Sequence, residues 1–240
     1  MRPEILIAPP ADLAGVFALL FEAEARQALA RGRRFSCAVP GGSAGEVFFP
    51  PLSRLALDWG RVDVFWVDER AVPAADPESN YALARHLWLS PAGVPPERVH
   101  RMASDGIDLA AAAAATEDDL IRTLGRPPRL DLALLGIGPD GHVASLFPGH
   151  PALNETGRFV VAVPDAPKPP ARRLTLTFGV LAEARLLVFG AFGDAKAGVI
   201  RDSVARADSP LPLARLLREA SRPFLFLDRA AAGLLSGEDR

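Results

Sequence analysis

Residues 130–142 read LDLALLGIGPDGH, an apolar run that ends in a glycine turn and a histidine. The run is apolar without alternation, as a strand covered on both faces must be. The turn that follows matches G-x-G-x-x-G, the spacing that lets backbone approach a pyrophosphate where a helix begins. Asp165, at the end of the next apolar run, stands roughly where a ribose-binding acid belongs. The downstream residues reject this reading. HVASLFPGHPALNETGRF carries Pro148, Gly149 and Pro151, which stop any helix after about six residues, whereas a dinucleotide loop opens a full crossover helix. Asp140 would also repel a phosphate. A plain glycine turn with a capping aspartate accounts for Asp140 but not for His142, which sits where a strand edge meets a ligand.

Outward from this stretch the same grammar repeats. FSCAV (35–39), VDVFWV (62–67), FVVAV (159–163), RLTLTF (173–178), RLLVFG (185–190) and PFLFLD (223–228) read as strands. Helical patterns lie between them. Asp12 is the expected N-cap of the first, which runs to Gly32 as its C-terminal signal. Ser79 is expected to cap SNYALARHLWLS, Asp105 or Asp108 the alanine-rich helix, and Asp194 the helix DAKAGVIRDSVA. Strand–helix alternation predicts a single α/β domain over 1–240, with a doubly wound, mostly parallel sheet flanked by helices in a Rossmann-like arrangement. In such sheets ligands bind beyond the carboxyl ends of the strands. PGGSAG (40–45), DERAVP (68–73) and GIGPDGH (136–142) all follow strands directly and should meet at one edge.

Composition narrows the partners. Apolar residues make up 49% and charged ones 23% of 240, with a net charge of -2, so no global field favours nucleic acid or an anionic membrane. The one cysteine, Cys37, lies in an apolar run and reads as buried packing. With no cysteine pair and four histidines, no metal site is expected. The N-terminal stretch lacks a long apolar h-region, and no run reaches the ~18 apolar residues of a membrane span, so a cytoplasmic protein is expected.

Basic groups near the three loops suit a small anion. PGGSAG offers the N–H groups of Gly41 and Gly42, the Ser43 hydroxyl and a helix start, without the lysine of a nucleotide P-loop. It also reads as a plain strand–helix turn. Lys196, one turn into the helix after RLLVFG, suits a phosphate as a point charge, or is a solvated surface lysine. Arg70, beside Asp68 and Glu69, is either salt-bridged or an anion binder. In PKPPARRLTL, Lys168, Arg172 and Arg173 supply charge; strand alternation sends Arg172 and Arg173 to opposite faces, so only one should enter the site. His86 and His100 read as surface or helix-packing residues, and His150 as a candidate at the pocket rim.

Taken together, PGGSAG, FWVDERAVPAADPESNYALARHLWL, LDLALLGIGPDGHVASLFPG, PKPPARRLTLT and GDAKAGVI resemble, in order, the 6-phosphogluconolactonase family. The resemblance covers about residues 35 to 200, and DERAVP…SNY and GxGxDGHxASLFPG are its specific signatures. It implies hydrolysis of 6-phospho-D-glucono-1,5-lactone to 6-phosphogluconate in the pentose phosphate pathway, without metal or cofactor, on an α/β fold shared with glucosamine-6-phosphate deaminases. By matching position, His142 is the implied base with Asp140 orienting it. Arg70 and Arg173 line the site, and Gly41, Gly42, Ser43 and Lys196 hold phosphate. A sugar-phosphate lactone is then the partner of a monomer or weak homodimer. Pro40 and Ala44 stand where the family usually has hydroxyl residues, which shifts phosphate binding onto backbone N–H groups and Ser43. Two alternatives remain: the deaminase relative, whose FNEPG acid and DEY are here SLFPG and DER, and a non-catalytic sugar-phosphate sensor.

Overall fold

The apolar runs assemble into two sheets rather than one. The computed structural model describes residues 3–105 and 108–237, so the ends of the expected 1–240 domain lie outside the described residues. The strands are β1 (Glu4–Ile7), β2 (Phe35–Val39), β3 (Val62–Trp66), β4 (Asp68–Arg70), β5 (Val99–His100), β6 (Leu132–Gly136), β7 (Val160–Val163), β8 (Arg173–Leu176), β9 (Leu186–Ala191) and β10 (Pro223–Leu227). The α-helices are α1 (Pro10–Ala30), α2 (Gly42–Leu52), α3 (Asn80–Ala84), α4 (Ser90–Ala92), α5 (Leu109–Leu124), α6 (Phe178–Ala182), α7 (Ala197–Ala205) and α8 (Pro212–Glu219). A π turn over Arg85–Leu89 joins α3 to α4.

The main sheet has the order β1-β10-β9-β6-β2-β3-β5, and each of its pairs is parallel. Helices flank it, as the alternation predicts. Every residue of β2 and β9 is buried, which explains why these runs carry no polar alternation. From β2 the chain builds outward through β3 to β5. It then returns to β6 on the other side of β2 and builds the opposite way through β9 and β10. The order therefore reverses between β2 and β6, and a crevice opens beyond their carboxyl ends.

Two of the expected strands leave this sheet. FVVAV and RLTLTF supply β7 and β8, which pair antiparallel with β4 in the order β4-β8-β7. No crossover helix of useful length separates them, so a hairpin-like pairing is the only one the connection allows. DERAVP is likewise not wholly a loop: its first three residues are β4. The short edge strands β1 and β5 carry too little pattern to be read in advance.

Helix α1 shows the packing logic. Leu13, Phe17, Phe21, Ala25 and Ala28 fall on one stripe and are buried. Phe17 meets Phe48 of α2 at 4.8 Å and Phe21 meets Phe35 of β2 at 5.1 Å between ring centroids. Its start differs from expectation. Pro10, with its preset φ, opens the helix after Pro9, and Asp12 lies in the first turn, where its charge suits the dipole without capping. Gly32, at φ +75°, ends it as expected. Ser79 caps α3 by accepting from the Ala82 N–H, and Asp108 caps α5. Asp194 caps nothing; it sits in a 3-10 turn ahead of α7. Cys37 is fully buried, and burial pushes its thiol well up.

Candidate active site

Gly41 and Gly42 lead from β2 into α2. Gly41 caps the helix in an extended conformation and offers no side chain, so the first N–H groups of an 11-residue helix are left for a ligand. Gly42 takes φ +58°, the left-handed region. Across the crevice, the turn after β9 brings the Lys196 Nζ to 3.3 Å from the Ser43 Oγ. That turn is anchored by Asp228 at the end of β10, whose carboxylate accepts from the Gly193 N–H at 3.0 Å. Burial lowers the Lys196 ammonium below the ordinary lysine value, and the Asp228 charge opposes the shift.

Strand β4 presents alternate residues to two faces. Asp68 and Arg70 line the crevice, while Glu69 points the other way into a shell of donors. The N–H groups of Arg70, Asn80 and Tyr81 each reach its carboxylate at 2.8 Å, and the Ser79 hydroxyl at 3.0 Å. Burial still raises the Glu69 carboxyl above its usual range, against those bonds. Glu69 thereby fixes the start of α3, and with it Asn80, whose amide donates to the Asp68 carbonyl at 2.8 Å and its carboxylate at 3.1 Å. Ser145 adds a 2.6 Å hydrogen bond to the same carboxylate. A β-carbon on Gly41 would stand 1.8 Å from the Asn80 amide oxygen, so the two loops close on each other only with glycine there. Arg70 donates to the Glu78 carbonyl at 2.5 Å, and its Nε is buried without a partner among the described residues.

The GIGPDGH turn opens no helix: it is followed by turns and an isolated bridge from Val143 to Leu146. The His142 Nδ1 lies 2.5 Å from the Asp140 carboxylate. A carboxylate only accepts, so Nδ1 carries the proton, and in the neutral ring Nε2 keeps its lone pair. Gly138 is what admits the ring, since a β-carbon there would come within 2.1 Å of the imidazole. Phe147 packs against the ring at 4.5 Å. Burial holds the imidazole below the ordinary histidine value, aided by the Lys168 charge and opposed by Asp140 and Asp68. Burial alone would raise Asp140, but its bond to His142 and its contact with Lys168 bring its carboxyl below the usual range. Two residues after His142, Ala144 adopts φ 50°, a conformation that is costly for a residue with a β-carbon.

Arg173 stands opposite Arg70 across the β4–β8 pair. Its Nε donates to the Pro170 carbonyl at 2.9 Å and one terminal nitrogen to the Lys168 carbonyl at 3.1 Å; the other is 3.9 Å from Asp68. Burial lowers its pKa, which the Asp68 charge opposes. Arg172 is exposed, so one arginine of the pair enters, as alternation requires.

The three loops converge on one cavity of about 400 Å³. Arg70, Lys168, Arg173 and Lys196 line it against one lining carboxylate, Asp68, a local excess of positive charge in a chain of net charge -2. Gly41, Gly42, Ser43 and His142 line it too, with Asp140 behind His142. Asp68, Asn80 and Lys168 were not singled out as site residues; the DER…SNY spacing and the lysine of PKPP were their only sequence signals. His150 is not at this rim. It pairs with exposed Asp165 at 3.0 Å beside a separate cavity, which also disposes of Asp165 as a ribose acid. His86 is exposed, and His100 packs on a helix as expected: from β5 it stacks on Phe65 and is bonded to Asp119 of α5 and to Asp63 of β3. Among the described residues, no group of three or more His, Cys, Asp or Glu side chains is disposed to hold a metal ion. None of the described helices is long and apolar enough to cross a membrane.

Comparison with known proteins gives a consistent picture. The profile of the family described as glucosamine-6-phosphate isomerases/6-phosphogluconolactonase matches residues 8–224. A 6-phosphogluconolactonase of Streptomyces coelicolor is 39% identical over 83% of this chain and 82% of its own. One of Mycobacterium tuberculosis is 40% identical over 81% of this chain and 83% of its own. Among solved structures, the 6-phosphogluconolactonase from Trypanosoma cruzi superposes with a TM-score of 0.87 at 28% identity, covering 98% of this chain and 97% of that one.

Proposed function

The chain belongs to the glucosamine-6-phosphate isomerase/6-phosphogluconolactonase family, and on that premise we propose that it hydrolyses 6-phospho-D-glucono-1,5-lactone to 6-phospho-D-gluconate with His142 as the base. The observation that carries the reading is the His142 imidazole held by Asp140 at the wall of a cationic cavity, where burial favours its neutral form. The lactone is an activated ester, so water needs no covalent intermediary. The His142 Nε2 takes a proton as the water oxygen bonds to C1, and charge moves onto the carbonyl oxygen. Arg70, whose Nε is uncommitted, the Arg173 terminal nitrogen that lies 3.9 Å from Asp68, and loop N–H groups are the candidate stabilisers of that charge. The C1–ring oxygen bond then breaks, and the imidazolium returns its proton to the ring oxygen. Gly41, Gly42, Ser43 and Lys196 are assigned to the phosphate, remote from C1. The place in the pentose phosphate pathway, a cytoplasmic location and a monomer or weak homodimer belong to the same proposal.

One observation disfavours the deaminase alternative. Where that relative carries an acid, this chain has Leu146 and Phe147, both buried, with Phe147 packed on His142. Purified protein should hydrolyse the phosphorylated lactone well above its spontaneous rate, with and without chelator, and release no ammonia from glucosamine 6-phosphate. Ammonia release would favour the deaminase; tight binding of the sugar phosphate without turnover would favour the sensor.

A further inference from the structure

The Asp140 carboxylate is gripped from two sides. Its Oδ1 takes the His142 Nδ1 at 2.5 Å and the Lys168 Nζ at 3.1 Å. Resting on the hydrolase reading above, we propose that Lys168 is a positioning residue that acts on His142 through this shared oxygen, and that Arg173 serves it by holding the lysine's backbone. An aspartate beside an imidazole does two things at once. It fixes the tautomer that leaves Nε2 free, and it favours the imidazolium, which is useless as a base. A lysine on the same oxygen offsets the second effect and leaves the first.

Burial already favours the neutral ring, and the Lys168 charge adds to it against the carboxylates. Asp68, from β4, adds a second negative field, and Arg173, from β8, faces the ring only across Phe147, with its guanidinium 5.6 Å from that ring's centroid. Lys168 is the cation in hydrogen-bond contact with the aspartate. Arg173 commits Nε to the Pro170 carbonyl at 2.9 Å and one terminal nitrogen to the carbonyls of Lys168 at 3.1 Å and Pro169 at 3.4 Å. Its rigid fork thus fixes the turn from which Lys168 reaches Asp140. Sequence charge alone hides this division of labour, because it marks both residues only as positive.

The test compares Lys168→Met with Lys168→Arg. Lys168 is part-exposed on a loop, and an unchanged melting temperature verifies that both variants fold. The His142 ring proton is followed by NMR as pH is varied, and it is identified by its loss in His142→Gln. With methionine its titration midpoint should move to higher pH; with arginine it should stay near that of the wild type. The acid limb of kcat/KM for the phosphorylated lactone should move with it, so that on that limb Lys168→Met runs about 3- to 10-fold slower while the alkaline plateau is kept. A midpoint unmoved in folded Lys168→Met overturns the proposal. So does a fall in the plateau with the limb in place, since the lysine would then touch the reacting atoms. If wild-type protein fails to turn over the lactone, the hydrolase reading fails, and the NMR titration still decides what Lys168 does to His142.

Discussion

At the scale of single residues, His142 and Lys196 are assigned opposite work, and kinetics separate them. A positioned base is worth roughly 10²–10⁴ in rate, so His142→Ala should lose that much kcat after correction for spontaneous hydrolysis. Because burial depresses the His142 imidazole, it stays neutral to lower pH than an ordinary histidine. The acid limb of kcat/KM should accordingly lie below the usual histidine midpoint of about 6.5. A limb at or above that value would contradict the buried, lysine-balanced setting. Lys196 is assigned to a phosphate that binds alike in ground and transition states, so Lys196→Ala should raise KM and spare kcat. A charge-assisted contact of about 1.5–3 kcal/mol corresponds to roughly 10- to 150-fold in kcat/KM. The loss should be far smaller with unphosphorylated gluconolactone; equal losses would move Lys196 to the reacting centre.

At the scale of elements, β4 and α3 are held together by one buried carboxylate. Glu69 accepts from four donors, three of them backbone N–H groups, and an amide in its place would turn an N–H₂ group toward donors. Glu69→Gln should therefore cost about 1–3 kcal/mol in stability and, by loosening Asp68, Arg70 and Asn80, lower kcat/KM as well. The control is Asp108→Ala at the start of α5. It removes a cap worth about 1 kcal/mol, or about 2–4 °C in melting temperature, from a helix none of whose residues lines the cavity. Its kcat/KM should be unchanged. If Glu69→Gln lowers stability but leaves kinetics intact, its hold on the site is incidental.

At the scale of the whole molecule, the edge of the main sheet carries a titratable clamp. His100 of β5 is bonded to Asp119 of α5 at 2.8 Å and to Asp63 of β3 at 3.3 Å, and Arg98 also reaches Asp63 at 3.3 Å. Burial would lower His100, but the two carboxylates outweigh it and raise its pKa; burial would raise Asp63, but His100 and Arg98 bring it down. The signs follow directly. The His100 contribution is full below its unfolded pKa of about 6.5 and is lost as pH rises through its raised folded value. The Asp63 contribution is present above its unfolded value of about 3.9 and is lost as pH falls through its lowered folded one. The clamp is thus complete in mildly acidic solution. Melting temperature followed against pH should fall on the alkaline side of that window in the wild type and flatten in His100→Gln; parallel curves would show that the clamp adds nothing.

The sequence by itself determined the parallel sheet, the loop that carries His142 and the convergence of three polar segments. Each rests on short-range chemistry: apolar runs without alternation must be covered on both faces, and Pro148, Gly149 and Pro151 forbid a cofactor helix. It determined that one of Arg172 and Arg173 enters the site, because strand alternation is local. Only the tertiary structure decided that β7 and β8 leave the main sheet for β4, since partner choice is set by connections and packing far along the chain. It also decided which donors each charge meets. Arg173 spends most of its fork on the backbone of Lys168–Pro170, Lys168 rather than a more distant cation reaches Asp140, and His100 sits between two carboxylates. A charged side chain has several reachable partners, and burial together with the geometry of neighbouring elements selects among them.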